Sequence, residues 1–359
     1  MALTLTNFDA AELTRAVQNI GNAQEKLLTR RFFLYNPGRN QHATRFLEFG
    51  SLTESVRIVN VRRPGEAAAP VDLTRGSLKV AQFPKIYVSK AFGEKEAETL
   101  NPGLSTYQGK NTDPNEHFMD NVNYELAGLK RSVRQTFEVW SALALTTGSL
   151  TLTYEDGTTG TVSYGYTGNG TDAGDSLTIQ PANTGDALWT AATGKPIDDL
   201  EDLVLQVQQE SDYEGNFAVL VGKNAWKALA NSDKVMKQLD ARNLDAGRLQ
   251  FKAGATYKGN LDGLEILSYN CGYKNSAGTW INAFNQDTIA LVPLDDPDVF
   301  SREQGPCWDE VNGVTQWINT EMFSRVITET NPAQTLITLE TRPLPLIKKP
   351  TAIRIKQVV

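Results

Sequence analysis

The letters GDSL at Gly174 to Leu177 place Ser176 in the setting that surrounds a nucleophile in one class of hydrolases. A serine attacks only when a base takes its proton, normally a histidine oriented by a carboxylate. The chain has two histidines, His42 and His117, and both precede Ser176. That hydrolase arrangement needs the motif near the N-terminus and the histidine near the C-terminus. Here GDSL reads as a turn leading into the strand-like TIQ.

Two acidic clusters, DDLED at 198–202 and DDPD at 295–298, have the oxygen ligands that Ca²⁺ or Mg²⁺ takes. The first falls at a helix start, where carboxylates favour the N-terminal dipole. The second carries Pro297 and reads as a turn. GNGTDAG has the glycines of a phosphate loop but neither a following Lys-Ser/Thr nor a helix, and no Walker loop, GxGxxG or HExxH occurs. Cys271 and Cys307 lack CxxC spacing and read as buried, reduced thiols of a cytosolic protein. The six tryptophans are dispersed and suit packing better than a stacking platform for bases. No catalytic set, metal or cofactor is expected.

With 35 Lys and Arg against 42 Asp and Glu, the net charge of −7 argues against nucleic-acid binding as the main task. No basic-then-apolar leader and no apolar run of ~18 residues points to secretion or a membrane span. At 359 residues the chain can build two or three cores.

The elements that would position any site read as follows. Residues 1–42 form an arm, with Asp9 capping a short helix that Gly21 ends and a basic stretch carrying Arg30, Arg31 and Arg39. Residues 43–92 alternate with period two around the soft tip RPGEAAAPVDLTRG, an extended hairpin that cannot bury both faces within its own chain. Residues 113–147 predict one long helix, with Asp113 as cap, Pro114 in the first turn and Gly148 as stop. Its apolar stripe is Val122, Leu126, Leu129, Val133, Phe137, Trp140 and Ala144. Residues 149–190 predict a β-hairpin insert turning at EDGTTG, 191–320 a mixed α/β domain, and 321–359 closing strands. The fold class is α+β.

The ordered series resembles the lambda-type major capsid proteins of tailed bacteriophages, the phage major capsid protein E family. It is carried by RIVNVRRPGEAAAPVDLTRGSLKVAQFPKIYVSKAF, EVWSALALTTGSLTLTYEDG, WKALANSDKVMKQLDARN, YKGNLDGLEILSYN, DTIALVPLD and the ending TLITLETRPLPLIKKPTAI, and covers roughly residues 5 to 355. The resemblance implies an HK97-like fold: an N-terminal arm at 1–42 running along a neighbouring subunit, an extended loop at 43–92, and a peripheral domain at 93–148 with a spine helix. It implies an axial domain at 191–320 and final strands at 321–359 returning to the peripheral domain. It further implies a structural protein that assembles as hexamers and pentamers into an icosahedral head around double-stranded DNA, without sequence-specific binding and without a membrane. Scaffold and portal would be partners, and some relatives add a decoration protein. Assembly would take place in the host cytoplasm and the product would be the virion. Arg30, Arg31, Phe32, Arg62, Arg63, Arg75 and Lys79 are the residues expected at inter-subunit contacts. The competing readings are a monomeric binding or adhesion module using the 149–190 insert, and a GDSL-type hydrolase.

Overall fold

The computed structural model describes residues 14–15, 17–18, 26–54, 74–92, 114–153, 158–164, 178–211, 213–232, 235, 256–261, 263–274, 278–296, 298–311, 314–330 and 333–359. The helices are α1 (Leu27–Arg31), α2 (Pro37–Asn40), α3 (Pro114–Thr147), α4 (Pro196–Ser211) and α5 (Lys223–Ala230). The first strands are β1 (Phe46–Glu54), β2 (Thr74–Gln82), β3 (Ile86–Phe92), β4 (Ser149–Thr153), β5 (Thr159–Ser163) and β6 (Phe217–Val221). Then come β7 (Tyr257–Leu261), β8 (Leu264–Ser268), β9 (Gly272–Lys274), β10 (Trp280–Asn282), β11 (Thr288–Pro293) and β12 (Phe300–Gln304). The chain closes with β13 (Cys307–Val311), β14 (Val314–Ile318), β15 (Phe323–Thr330), β16 (Ala333–Thr341), β17 (Pro343–Ile347) and β18 (Arg354–Gln357).

The long helix forms where its apolar period predicts. At 34 residues, α3 is a rod of roughly 50 Å. It ends at Gly148, whose φ of 64° supplies the left-handed cap that a Cβ disfavours. Its stripe meets two cores in succession. Val122, Leu126 and Val133 pack on Ile86, Phe92, Ile337 and Leu339 of the β15-β16-β3 sheet. Phe137, Ala144 and Leu145 pack with Leu150 and Tyr164 of the β4–β5 hairpin and with one face of a five-stranded sheet. Each buried Leu, Val or Phe contributes about 1.5–3 kcal/mol, so this one helix organises much of the chain's apolar burial.

That five-stranded sheet runs β18-β11-β6-β8-β7, with β6 and β8 parallel and the other pairs antiparallel. Every residue of β6 is buried because both faces are covered. Phe217, Val219 and Val221 face Leu200, Leu203 and Val207 of α4 and Ala225 and Leu229 of α5. Ala218 and Leu220 face the core that contains α3.

Two segments depart from the sequence reading. SLKVAQFPKIYVSKAF, the second limb of the hairpin expected over 43–92, forms two strands: β2 stays with β1, while β3 pairs with β16. Pro84 lies between them, and a residue with no N–H interrupts a ladder. The closing residues also divide. β17 pairs with β12, but β18 pairs with β11 at the edge of the five-stranded sheet. Pro343 and Pro345 sit opposite Gln304 and Arg302 in a ladder that has two strands among the described residues, where a missing N–H can point away from the partner. The phenol of Tyr164 donates to the carbonyl of Pro345 at 2.6 Å.

Candidate functional site

Among the described residues, the side chains that could do chemistry are engaged by structural partners. Glu303, nearly fully buried, accepts from His42 Nε2 at 2.7 Å and Ser301 Oγ at 2.6 Å, and lies 3.3 Å from Lys348 Nζ. In the DDLED cluster, Asp199 Oδ1 meets Lys356 Nζ at 3.0 Å. Its Oδ2 accepts from Trp189 Nε1 at 2.7 Å and Asn183 Nδ2 at 2.9 Å. In the DDPD cluster, Asp295 accepts from the backbone and side chain of Asn216, and Asp296 pairs with Lys349 at 3.0 Å. Among the described residues no group of three His, Cys, Asp or Glu side chains is placed to hold a metal ion, and no helix is long and apolar enough to cross a membrane. Both cysteines are free and buried. Burial pushes the Cys307 thiol up to about 12, far from thiolate chemistry at neutral pH. The GDSL motif lies outside the described residues.

What the chain presents instead is surface. The β1–β2 hairpin pairs from Phe46↔Gln82 to Glu54↔Thr74 and, among the described residues, shares its ladder with no third strand. One face, Leu47, Phe49 and Ala81, is buried, with Phe49 near Tyr164 at 6.3 Å between ring centroids. The opposite face leaves Phe46 57% and Val80 62% exposed. Beside its root, Trp317 on β14 is 41% exposed and stacks edge-on against Trp308 at 4.5 Å. The guanidinium groups of Arg45 and Arg342 lie 5.6 and 5.4 Å from its ring. A second exposed apolar group, Tyr273, Trp280 and Ile281, lies on the short β9–β10 hairpin.

The residues expected at subunit contacts fall into four sets. Arg30 is exposed. Arg31 and Phe32 are engaged inside the chain: Arg31 forks onto Glu265 at 2.6 and 2.5 Å, and buried Phe32 lies edge-on to Phe300 at 5.7 Å. The fork to Glu265 raises the Arg31 pKa, so it stays charged. Arg75 and Lys79 lie on β2, and Arg62 and Arg63 lie outside the described residues. Sequence reasoning missed Phe46, Val80 and Trp317. The signal for Phe46 was there: RFLEF places apolar residues on both faces of an alternating strand.

Behind these surfaces lies an unusual density of buried charge. Arg302 pairs with Glu321 at 2.9 Å and lies 4.9 Å from the Phe137 ring centre. Glu340 holds Arg342 at 3.1 Å and Lys85 at 3.2 Å. Fully buried Arg354 pairs with Glu210 and donates to the carbonyls of Thr351 and Ile353 at 2.6 and 2.8 Å. Desolvation lowers the Arg354 pKa, partly offset by Glu210. The pairs Lys85–Glu340 and Arg354–Glu210 join segments far apart in sequence and so fix register between them.

The profile of the family described as phage major capsid protein E matches residues 9–358. Among curated proteins none matches the sequence. Of solved structures, a chain described as a prophage capsid protein from E. coli CFT073 superposes with a TM-score of 0.64 at 13% identity, covering 98% of this chain and 99% of that one. A phage-related protein from Bordetella bronchiseptica RB50 superposes at 0.52 and 11% identity, covering 96% and 95%.

Proposed function

We propose, from the premise that this chain belongs to the phage major capsid protein E family, that its exposed apolar surfaces are the contacts of a closed shell. It is the major capsid protein of a phage head, with an HK97-like fold; it is a structural protein, not an enzyme, and it self-associates to form the virion shell. In the proposed arrangement the subunits form hexamers and pentamers that close an icosahedral head around double-stranded DNA without reading its sequence. Residues 1–42 act as the arm, 43–92 as the extended loop, 93–148 as the peripheral domain with its spine helix, and 191–320 as the axial domain gathered around capsomer axes. The 149–190 insert and the 321–359 strands complete the subunit. Arg30, Arg31, Phe32, Arg62, Arg63, Arg75 and Lys79 are the proposed contact residues toward neighbouring subunits, Arg31 and Phe32 having partners within their own chain as well. Scaffold, portal and decoration proteins are the proposed partners, and the host cytoplasm the place of assembly.

The observation that supports this reading best is the β1–β2 hairpin, a two-stranded ladder with Phe46 and Val80 left facing outward. Isolated hairpins are marginal, and an apolar outer face is completed by a neighbour. A contact repeated by every subunit needs only modest pair energy, and closed symmetry prevents open aggregation. The test is assembly of purified protein with a scaffold partner, comparing the intact chain with one lacking residues 1–13, a cut that leaves the intrachain contacts of Leu28, Thr29 and Arg31 in place. Shells from the first and none from the second support the arm's role; equal yields contradict it.

A further inference from the structure

The segment from residue 26 to 34 does not hang free. It crosses its own subunit and is fastened at three places. On α3, the Glu138 carboxylate is 1% exposed and accepts four hydrogen bonds. One oxygen takes Leu28 N at 3.1 Å and the Tyr269 hydroxyl at 2.8 Å; the other takes Thr29 N at 2.9 Å and Thr29 Oγ1 at 2.5 Å. On the five-stranded sheet, Glu265 of β8 holds Arg31. On β12, Phe300 receives Phe33 edge-on at 5.2 Å, and Arg302 N donates to the Leu34 carbonyl at 3.2 Å.

Glu138 is the point at which the segment, the long helix and the sheet meet. Tyr269 directly follows β8, so its hydroxyl brings the sheet to the same carboxylate that holds α1. All four of these donors are neutral, and together they fill the acceptor capacity of an ionised carboxylate. Unpaired, a carboxylate this deep would be costly, so the segment and the burial of Glu138 support each other.

We propose that residues 26–34 are an intrachain strap that fixes the angle between the long helix and the five-stranded sheet, with Glu138 as its rivet. The strap is a property of the single subunit and does not depend on how subunits assemble. With the rivet intact, helix and sheet move as one body. With it broken, the strap lifts and the two gain a hinge.

The test uses the full-length unassembled subunit. Glu138→Gln keeps the shape but forces an NH₂ against one pair of donors. Hydrogen exchange should speed at least tenfold at Leu28 and Thr29, while Val219 and Leu220 in β6 stay protected. Spin labels at exposed Arg131 and Lys227, each replaced by Cys, should give one narrow distance in the parent and a broadened or split distribution in the variant. Unchanged exchange at Leu28 and Thr29 overturns the rivet. Faster exchange with an unchanged distance distribution overturns the hinge. Should the Gln variant fail to fold, Tyr269→Phe and Thr29→Val, which remove donors and leave the carboxylate, are read by the same two measurements and the same outcomes.

Discussion

Replacing Phe46 and Val80 together by Ser should abolish shell formation and leave the subunit's fold intact. Both side chains stand on the outward face of the β1–β2 ladder, 57% and 62% exposed, while their strand neighbours Leu47 and Ala81 carry the packing. Full burial of such a side chain is worth about 1.5–3 kcal/mol, so the exposed share of each would yield roughly 1–2 kcal/mol when a neighbour covers it. The pair therefore contributes about 2–4 kcal/mol per subunit, a factor of roughly 30 to 1,000 in the association constant. The subunit should lose under about 0.5 kcal/mol, as expected of surface positions. Light scattering against protein concentration reads the first quantity, and a urea melt of unassembled subunit reads the second. An unchanged concentration threshold, or a subunit destabilised by more than about 1 kcal/mol, would refute the assignment of this face to a neighbour.

Three further outcomes follow from the interior. Arg354→Ala should cost about 3 kcal/mol in a urea melt, since it strands Glu210 and the carbonyls that the guanidinium serves; a loss below about 1 kcal/mol would contradict this. Gly305→Ala should lower Tm by an amount equivalent to about 1–3 kcal/mol, because the added Cβ would lie 2.7 Å from the buried Phe83 ring at the hairpin root; an unchanged Tm would show that the ring can yield. Stability should fall in alkali. Burial raises the Cys307 thiol to about 12 and the Tyr164 phenol above its ordinary value, so the folded chain keeps protons that the unfolded chain releases from about pH 9 and 10 upward. Each group then costs roughly 1.4 kcal/mol per pH unit until its folded pKa is passed. A urea midpoint that stays level between pH 9 and 11 would contradict that sign.

What was legible in the sequence was what local period controls. The 3.6-residue stripe of α3, its Gly148 stop, the alternation of β1 and the short apolar run of β6 all depend on neighbours within one turn or two positions. What was not legible depends on partners far along the chain. FSREQ in β12 carries little apolar signal, yet all five residues are buried. The partners of its charges arrive from Glu321, His42 and Lys348, and Gln304 donates to Thr341 Oγ1 and the Glu321 carbonyl. Arg31 and Phe32, which the family resemblance puts at a neighbour's surface, also have partners within their own chain that one dimension does not show. Only the fold brings Glu265 up against Arg31 and Phe300 up against Phe32, each more than two hundred residues away.

The most direct test of the central claim is the mass of the purified protein by light scattering, with negative-stain images of the same fractions and the scaffold partner supplied. Particles of megadalton mass are expected, seen as closed shells built from ring-shaped capsomers. A uniform 39.5 kDa monomer that persists with scaffold present would contradict it.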